Sequence, residues 1–169
     1  DVAGGNKMNI RNIVATMGTS FTKEQIAMLR RLDCEIVLMR DNDNAGRQAM
    51  VKEIPELMNK RFRVSVIDLN KVKENLQLTE EKDSKDLWDF ANAGAVEHDL
   101  EKARVSGFQF LMENKYFENK EFNSETIKEA YEEAKKEELI KTSYDEMNFK
   151  DYVVKHSTYS KEEVDDIIH

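Results

Sequence analysis

Two aspartates one residue apart, Asp41 and Asp43, follow the aliphatic run Glu35 to Met39 and stand immediately before a helix-forming stretch that opens Asn44-Ala45-Gly46-Arg47. A buried strand that ends this way presents two carboxylates to one small volume. A hard divalent cation takes oxygen ligands, keeps several waters, and uses one or two protein carboxylates together with substrate phosphates. The chemistry on offer is metal-assisted handling of phosphate, and a solvated Asx-rich turn is the plain alternative.

The flanking elements decide whether the carboxylates are placed for that work. Asn12 to Thr16 reads as a short aliphatic strand broken at Gly18. Thr22-Lys23-Glu24-Gln25 is a capping box, which predicts a helix over 23–32 with Ile26, Leu29 and Leu32 inward. Glu35 to Met39 is a second strand. A helix over about 45–60 follows, burying Met50, Ile54, Leu57 and Met58 with Pro55 inside it as a source of a kink. A third strand covers about Arg63 to Leu69. Strand, helix, strand, helix, strand is an α/β pattern with a parallel sheet and flanking helices, and such sheets bind ligands at the carboxyl ends of their strands, where Asp41 and Asp43 fall.

Residues 70–81 are charged and without periodicity, which predicts an exposed excursion. It ends at Lys82-Asp83-Ser84-Lys85-Asp86, where Ser84 is the expected cap of a helix carrying Leu87, Trp88 and Phe90. From about Ala95 only helical patterns are expected: an apolar stretch with Phe108, Phe110, Leu111 and Met112; a helix after Ser124 with Ile127, Ala130, Tyr131 and Ala134 on one side; and capping boxes opening at Ser143 and Ser160. The expected organisation is an α/β domain over 1–94 and a small all-α bundle over 95–169.

Composition narrows the function classes. The 169 residues carry a net charge of −8, with 17 Asp/Glu against 15 Lys/Arg in residues 1–100 and 17 against 11 in 101–169. Strong nucleic-acid binding by composition alone is therefore not expected. No run of 18 or more apolar residues is present, which argues against a membrane span, and the chain reads as a cytoplasmic protein. Cys34 is the single cysteine, expected to be a small buried apolar residue; His98, His156 and His169 have no zinc spacing. Asp41-Asn42-Asp43-Asn44-Ala45-Gly46 opens like a calcium-binding EF-hand loop, but the fifth and twelfth positions are Ala45 and Lys52 and a strand precedes it, so that reading fails.

Three segments carry a family resemblance. Val14-Ala15-Thr16-Met17-Gly18-Thr19, then Leu38-x-Arg40-Asp41-x-Asp43-x-Ala45-Gly46, then Lys82-Asp83 ahead of a helix, resemble the TOPRIM domain of bacterial, DnaG-type DNA primases. In that family a Glu-Gly-x-x-Asp motif opens the domain, and the distance from its aspartate to the next strand is reproduced by Asp1 to Ile10. Asp1 then matches the last residue of the motif, and the glutamate four residues earlier lies outside the 169 residues, so the sequence reads as a piece of a longer protein. The helical part resembles, more loosely, the subdomain that closes the primase polymerase core, through Phe110-Leu111, Tyr152-Val153-Val154 and Tyr159-Ser160-Lys161-Glu162-Glu163-Val164.

The resemblance implies Mg²⁺ or Mn²⁺ held by Asp41, Asp43 and Asp83, with Asp1 contributing, and substrate contacts from Lys82, Gly18 and Thr19. It implies primer synthesis on a single-stranded DNA template from NTPs, with the nascent RNA primer as product and a replicative helicase met through regions outside this chain. No catalytic acid–base residue is assigned, since the motif glutamate is absent. Departures from the family pattern are Ser84 for a proline, Lys85 for an acid that Asp86 replaces only doubtfully, Asn42 for a common glycine, and Arg40 for an aromatic or small residue. Arg40 is expected to be an exposed basic residue rather than a phosphate ligand. The alternatives are another TOPRIM phosphotransfer protein, a topoisomerase or nuclease, and a non-catalytic interaction module docking through the acidic helices of 124–169.

Overall fold

The sheet that carries the aspartates has three strands in the order β1-β2-β3. The computed structural model describes residues 2–16, 18, 21–79 and 84–169. Strand β1 is Ile36–Leu38, β2 is Val64–Ile67 and β3 is Arg104–Ser106. The β1–β2 pair is parallel, with Ile36 opposite Val64 and Leu38 opposite Val66, and β2–β3 is antiparallel, with Ser65 opposite Ser106 and Ile67 opposite Arg104. The expected α/β class is present, and β3 adds an antiparallel edge where the sequence pointed to helices alone. Three residues between helical segments are too few to display a two-residue alternation.

Two compact units divide the chain, Asp1–Gly107 and Phe108–His169. In the first, helix α1 (Val2–Lys7) precedes α2 (Lys23–Leu32), and α3 (Asn44–Asn59) makes the crossover between the parallel strands. Helices α4 (Leu69–Asn75), α5 (Leu87–Asn92) and α6 (Glu97–Lys102) complete it. Thr22 caps α2 through the predicted box, accepting from the Gln25 N–H at 3.2 Å while its own N–H donates to Gln25 Oε1 at 2.8 Å. Ile36 and Leu38 of β1 are buried, as are Met50, Ile54 and Leu57 of α3 and Val66 and Ile67 of β2. A cluster of Met8, Leu69, Val72, Leu87, Phe90 and Leu100 with Ile67 forms the adjoining core. Helix α1 reaches α5 so closely that a Cβ on Gly4 would lie 2.8 Å from the Leu87 carbonyl carbon, which only glycine allows.

Several expectations are corrected. Residues 12–16 form no strand, and Val14 is 80% exposed; the segment is aliphatic, but no strand partner takes its backbone among the described residues. The segment after Leu69 is a helix where an excursion was expected: Asp68 caps α4 by accepting from the Asn70 N–H, and Leu69 and Val72 are buried. Asp86, and not Ser84, caps α5, accepting from the Asp89 N–H at 2.9 Å, while Ser84 is itself buried. Leu32 is 68% exposed, and Cys34 is exposed. Both stand where α2 ends, at an Asp33 with left-handed φ of 45°, and so turn away from the core.

The second unit is helical throughout. Helix α7 (Gly107–Leu111) runs into a π-helical turn at Met112–Tyr116, followed by α8 (Ser124–Lys136), α9 (Ser143–His156) and α10 (Lys161–Ile168). Ile127, Ala130, Tyr131 and Ala134 of α8 are buried as their spacing required. Asn123, Thr142 and Ser160 are the N-caps. The cap of α9 lies one residue before the predicted Ser143. Phe117 stacks on Phe122 at 4.5 Å, and Tyr131 meets Phe149 edge-on at 5.3 Å.

Candidate metal centre

Beyond β1 the chain bends at Asn42 and Asp43 into the start of α3, and exposure alternates from Arg40 to Asp43. Asp41 and Asp43 are exposed, whereas Arg40 and Asn42 are half-buried and tied to other segments. Asp43 is the N-cap of α3: its Oδ1 accepts from the Gly46 N–H at 2.8 Å. Its N–H donates to the Asp41 carbonyl at 2.8 Å. Gly46 is obligatory here, because a Cβ would lie 2.2 Å from that same carbonyl oxygen. The Ala-Gly that follows the aspartates thus has a steric reason.

Arg40 is bound by the carboxylate of Glu53, a residue of α3 that is only 3% exposed, through two guanidinium nitrogens: Nε to Oε2 at 3.2 Å and Nη2 to Oε1. A third nitrogen, Nη1, donates to the Gly18 carbonyl at 3.3 Å. Arg40 is therefore not the exposed basic residue expected from the sequence. It fastens the turn to α3 and to the segment that holds Gly18. Gly18 itself is exposed and has open space where a side chain would be.

Asn42 fastens the other side. Its N–H donates to the Lys85 carbonyl at 2.6 Å and its side-chain amide to the Ser84 carbonyl at 3.1 Å. The residue that follows Asp83 in sequence is thereby held against the Asp41–Asp43 turn. Asp83 and Lys82, like Asp1 and Thr19, lie outside the described residues. Asp86 has its Oδ1 committed to capping α5.

The donor set fits a hard divalent cation. Asp41 carries no side-chain hydrogen bond among the described residues, and Asp43 keeps Oδ2 beyond its capping bond. Another grouping of possible ligands, Glu146, Asp165 and His169 in the second unit, is already served by a cation: Lys150 Nζ lies 2.8 Å from Glu146 and also pairs with Asp165.

The Arg40–Glu53 pair and the Asn42 latch escaped the sequence reading, because neither partner spacing, 13 and about 42 residues, follows a local periodicity. A buried-face glutamate at position 53, beside Met50, Ile54 and Leu57, was the one available signal.

Residues 3–84 match the sequence profile of a family described as Toprim-like. DNA primase of Staphylococcus aureus is 39% identical over 69 residues, which is 41% of this chain and 12% of that protein. DNA primase of Enterococcus faecalis is 40% identical over 70 residues, 41% of this chain and 11% of that protein. The chain thus matches about a ninth of the length of these relatives. No solved structure matches. Residues 3–84 are thus similar to a Toprim-like domain, and 41% of the chain is similar to part of these DNA primases.

Proposed function

We propose that this chain is the metal- and phosphate-binding part of a DNA primase, a cytoplasmic replication enzyme that makes RNA primers on single-stranded DNA. The Toprim-like part is taken as 1–94 and the helical subdomain as 95–169. The observation that carries the reading is the convergence on one turn of the exposed pair Asp41 and Asp43, of Gly18 through Arg40, and of the Ser84–Lys85 segment through Asn42.

Asp41 and Asp43 would hold Mg²⁺ or Mn²⁺, with Asp83 and Asp1 completing the set and Lys82 and Thr19 beside the phosphates. A bound ion would neutralise triphosphate charge, the chemistry that nucleotidyl transfer to a hydroxyl with release of pyrophosphate requires. The protein's own part is positional. Glu53 fixes Arg40, Arg40 and Asn42 hold the turn from two sides, and Gly18 leaves room for a phosphate to approach. DNA template, NTPs and primer are the proposed partners, and no helix among the described residues is long and apolar enough to cross a membrane.

Primer synthesis with template, NTPs and Mn²⁺ tests the reading in a protein that also carries the upstream Glu-Gly-x-x motif. Asp41→Asn with Asp43→Asn should abolish dinucleotide formation. Cleavage or relaxation of plasmid DNA without NTPs would instead assign the site to a nuclease or topoisomerase. The 169-residue chain, which contains no Glu-Gly pair, should make no primers alone.

A further inference from the structure

We propose that the first unit carries a second binding surface, at the end of the sheet opposite Asp41 and Asp43, which docks the phosphate backbone of single-stranded nucleic acid. Where the chain enters β1 and β2, an open cavity of about 500 Å³ is lined by Arg30, Lys60, Arg61 and Arg63, with Phe62 and a single carboxylate, Asp33. Four cations against one acid is a local reversal in a chain whose net charge is −8.

The charge is also largely uncommitted. Lys60 pairs with Glu56 at 2.6 Å, and Arg30 reaches only the Lys60 carbonyl, at 3.5 Å. Among the described residues the side chains of Arg61 and Arg63 make no ion pair. Arg63 acts on Glu35 through space only, and that carboxylate is bonded instead to Ser65 and to Arg104 at 2.7 Å. Surface cations gathered in excess of their acids repel one another, and a polyanion relieves that repulsion and releases counterions. Guanidinium forks match phosphate oxygens, and half-buried Phe62 offers the aromatic surface on which an unpaired base stacks. Charge and aromatic surface together favour a single strand over a free phosphate. The inference rests on this cavity alone and not on the metal reading.

Cys34 makes the surface measurable, since it is the chain's single cysteine, is exposed, and lines the cavity. In EDTA, so that metal binding does not enter, oligo(dT) should slow alkylation of Cys34 by iodoacetamide several-fold, and ATP or inorganic phosphate should not. Fluorescence anisotropy should show Arg30→Glu with Arg63→Glu weakening oligo(dT) binding about tenfold and lowering the salt slope by about 1.4, at ~0.7 per lost phosphate contact. The control is Lys128→Glu with Lys155→Glu, an equal charge change at two exposed lysines of the second unit, which should leave both readings near wild type. Unchanged Cys34 reactivity, equal weakening by the control, or equal protection by ATP would overturn the proposal. Stronger protection by polyglutamate than by oligo(dT) would overturn it in favour of an acidic polypeptide.

Discussion

The N–H of Asn42 donates to the carbonyl of Lys85 at 2.6 Å, and the Asn42 side chain spans to the neighbouring carbonyl of Ser84. Residues more than forty positions apart are thus joined beside the two aspartates. Asn42→Ala keeps the backbone bond and removes the side-chain bond, which should cost about 1 kcal/mol in urea unfolding. Mn²⁺ affinity should weaken with it, because the segment leading back to Asp83 loses one of two ties. A variant with wild-type stability and wild-type Mn²⁺ affinity would show that the latch holds nothing of consequence.

Asp43 serves both as helix cap and as proposed ligand, and two substitutions separate the roles. Asn is as good an N-cap as Asp, so Asp43→Asn should leave metal-free stability unchanged or raise it by up to ~1 kcal/mol as the carboxylates cease to repel. Asp43→Ala loses the bond to the Gly46 N–H and should cost about 1 kcal/mol. Both should lose Mn²⁺ binding. Paired unfolding curves and metal titrations check this, and retained metal binding in either variant would leave Asp43 as a cap alone.

The Arg40–Glu53 pair should matter more to stability than an exposed pair of the same charge. Glu53 is 3% exposed, so Arg40→Met strands a buried carboxylate and should cost ~2 to 3 kcal/mol, against ~0.5 kcal/mol or less for Lys60→Met at the exposed i,i+4 pair with Glu56. Denaturant midpoints of the two variants give the comparison directly. Equal losses would mean that Glu53 has solvent access or another partner.

In the second unit the Lys150 ammonium, then the Tyr131 hydroxyl, hold the Glu146 carboxyl down to about 2, against a smaller opposing effect of burial. A carboxylate with a lowered folded value stabilises fully above its ordinary value of about 4.3 and loses that contribution as pH falls through the folded value. The melting-temperature difference between wild type and Glu146→Gln should therefore shrink as pH falls between about 4.3 and about 2. A difference independent of pH across that window would contradict the ion-pair origin.

What the sequence disclosed follows from how local each signal is. The runs at 35–39 and 63–69 gave β1 and β2, the Thr22–Gln25 box gave α2, and the spacing of Ile127, Ala130, Tyr131 and Ala134 gave the buried face of α8. Helix α4 does carry local signals, a capping Asp68 and Leu69, Val72 and Leu76 at helical spacing, which the dense charge of the segment masks. The segment 12–16 looked like a strand because aliphatic content reports hydrophobicity and not the presence of a pairing edge. The contacts that organise the site, Arg40 with Glu53 and Asn42 with Ser84 and Lys85, depend on tertiary approach and leave no periodic trace.

The most direct test of the central claim is the affinity of the 169-residue chain for Mn²⁺, read by the loss of the free-ion electron paramagnetic resonance signal. Wild type should bind Mn²⁺ weakly and saturably, Mg²⁺ should compete, and Asp41→Asn with Asp43→Asn should abolish the binding while unfolding as wild type does. Equal Mn²⁺ binding by both proteins would contradict the account and leave Asp41 and Asp43 as residues of a solvated turn.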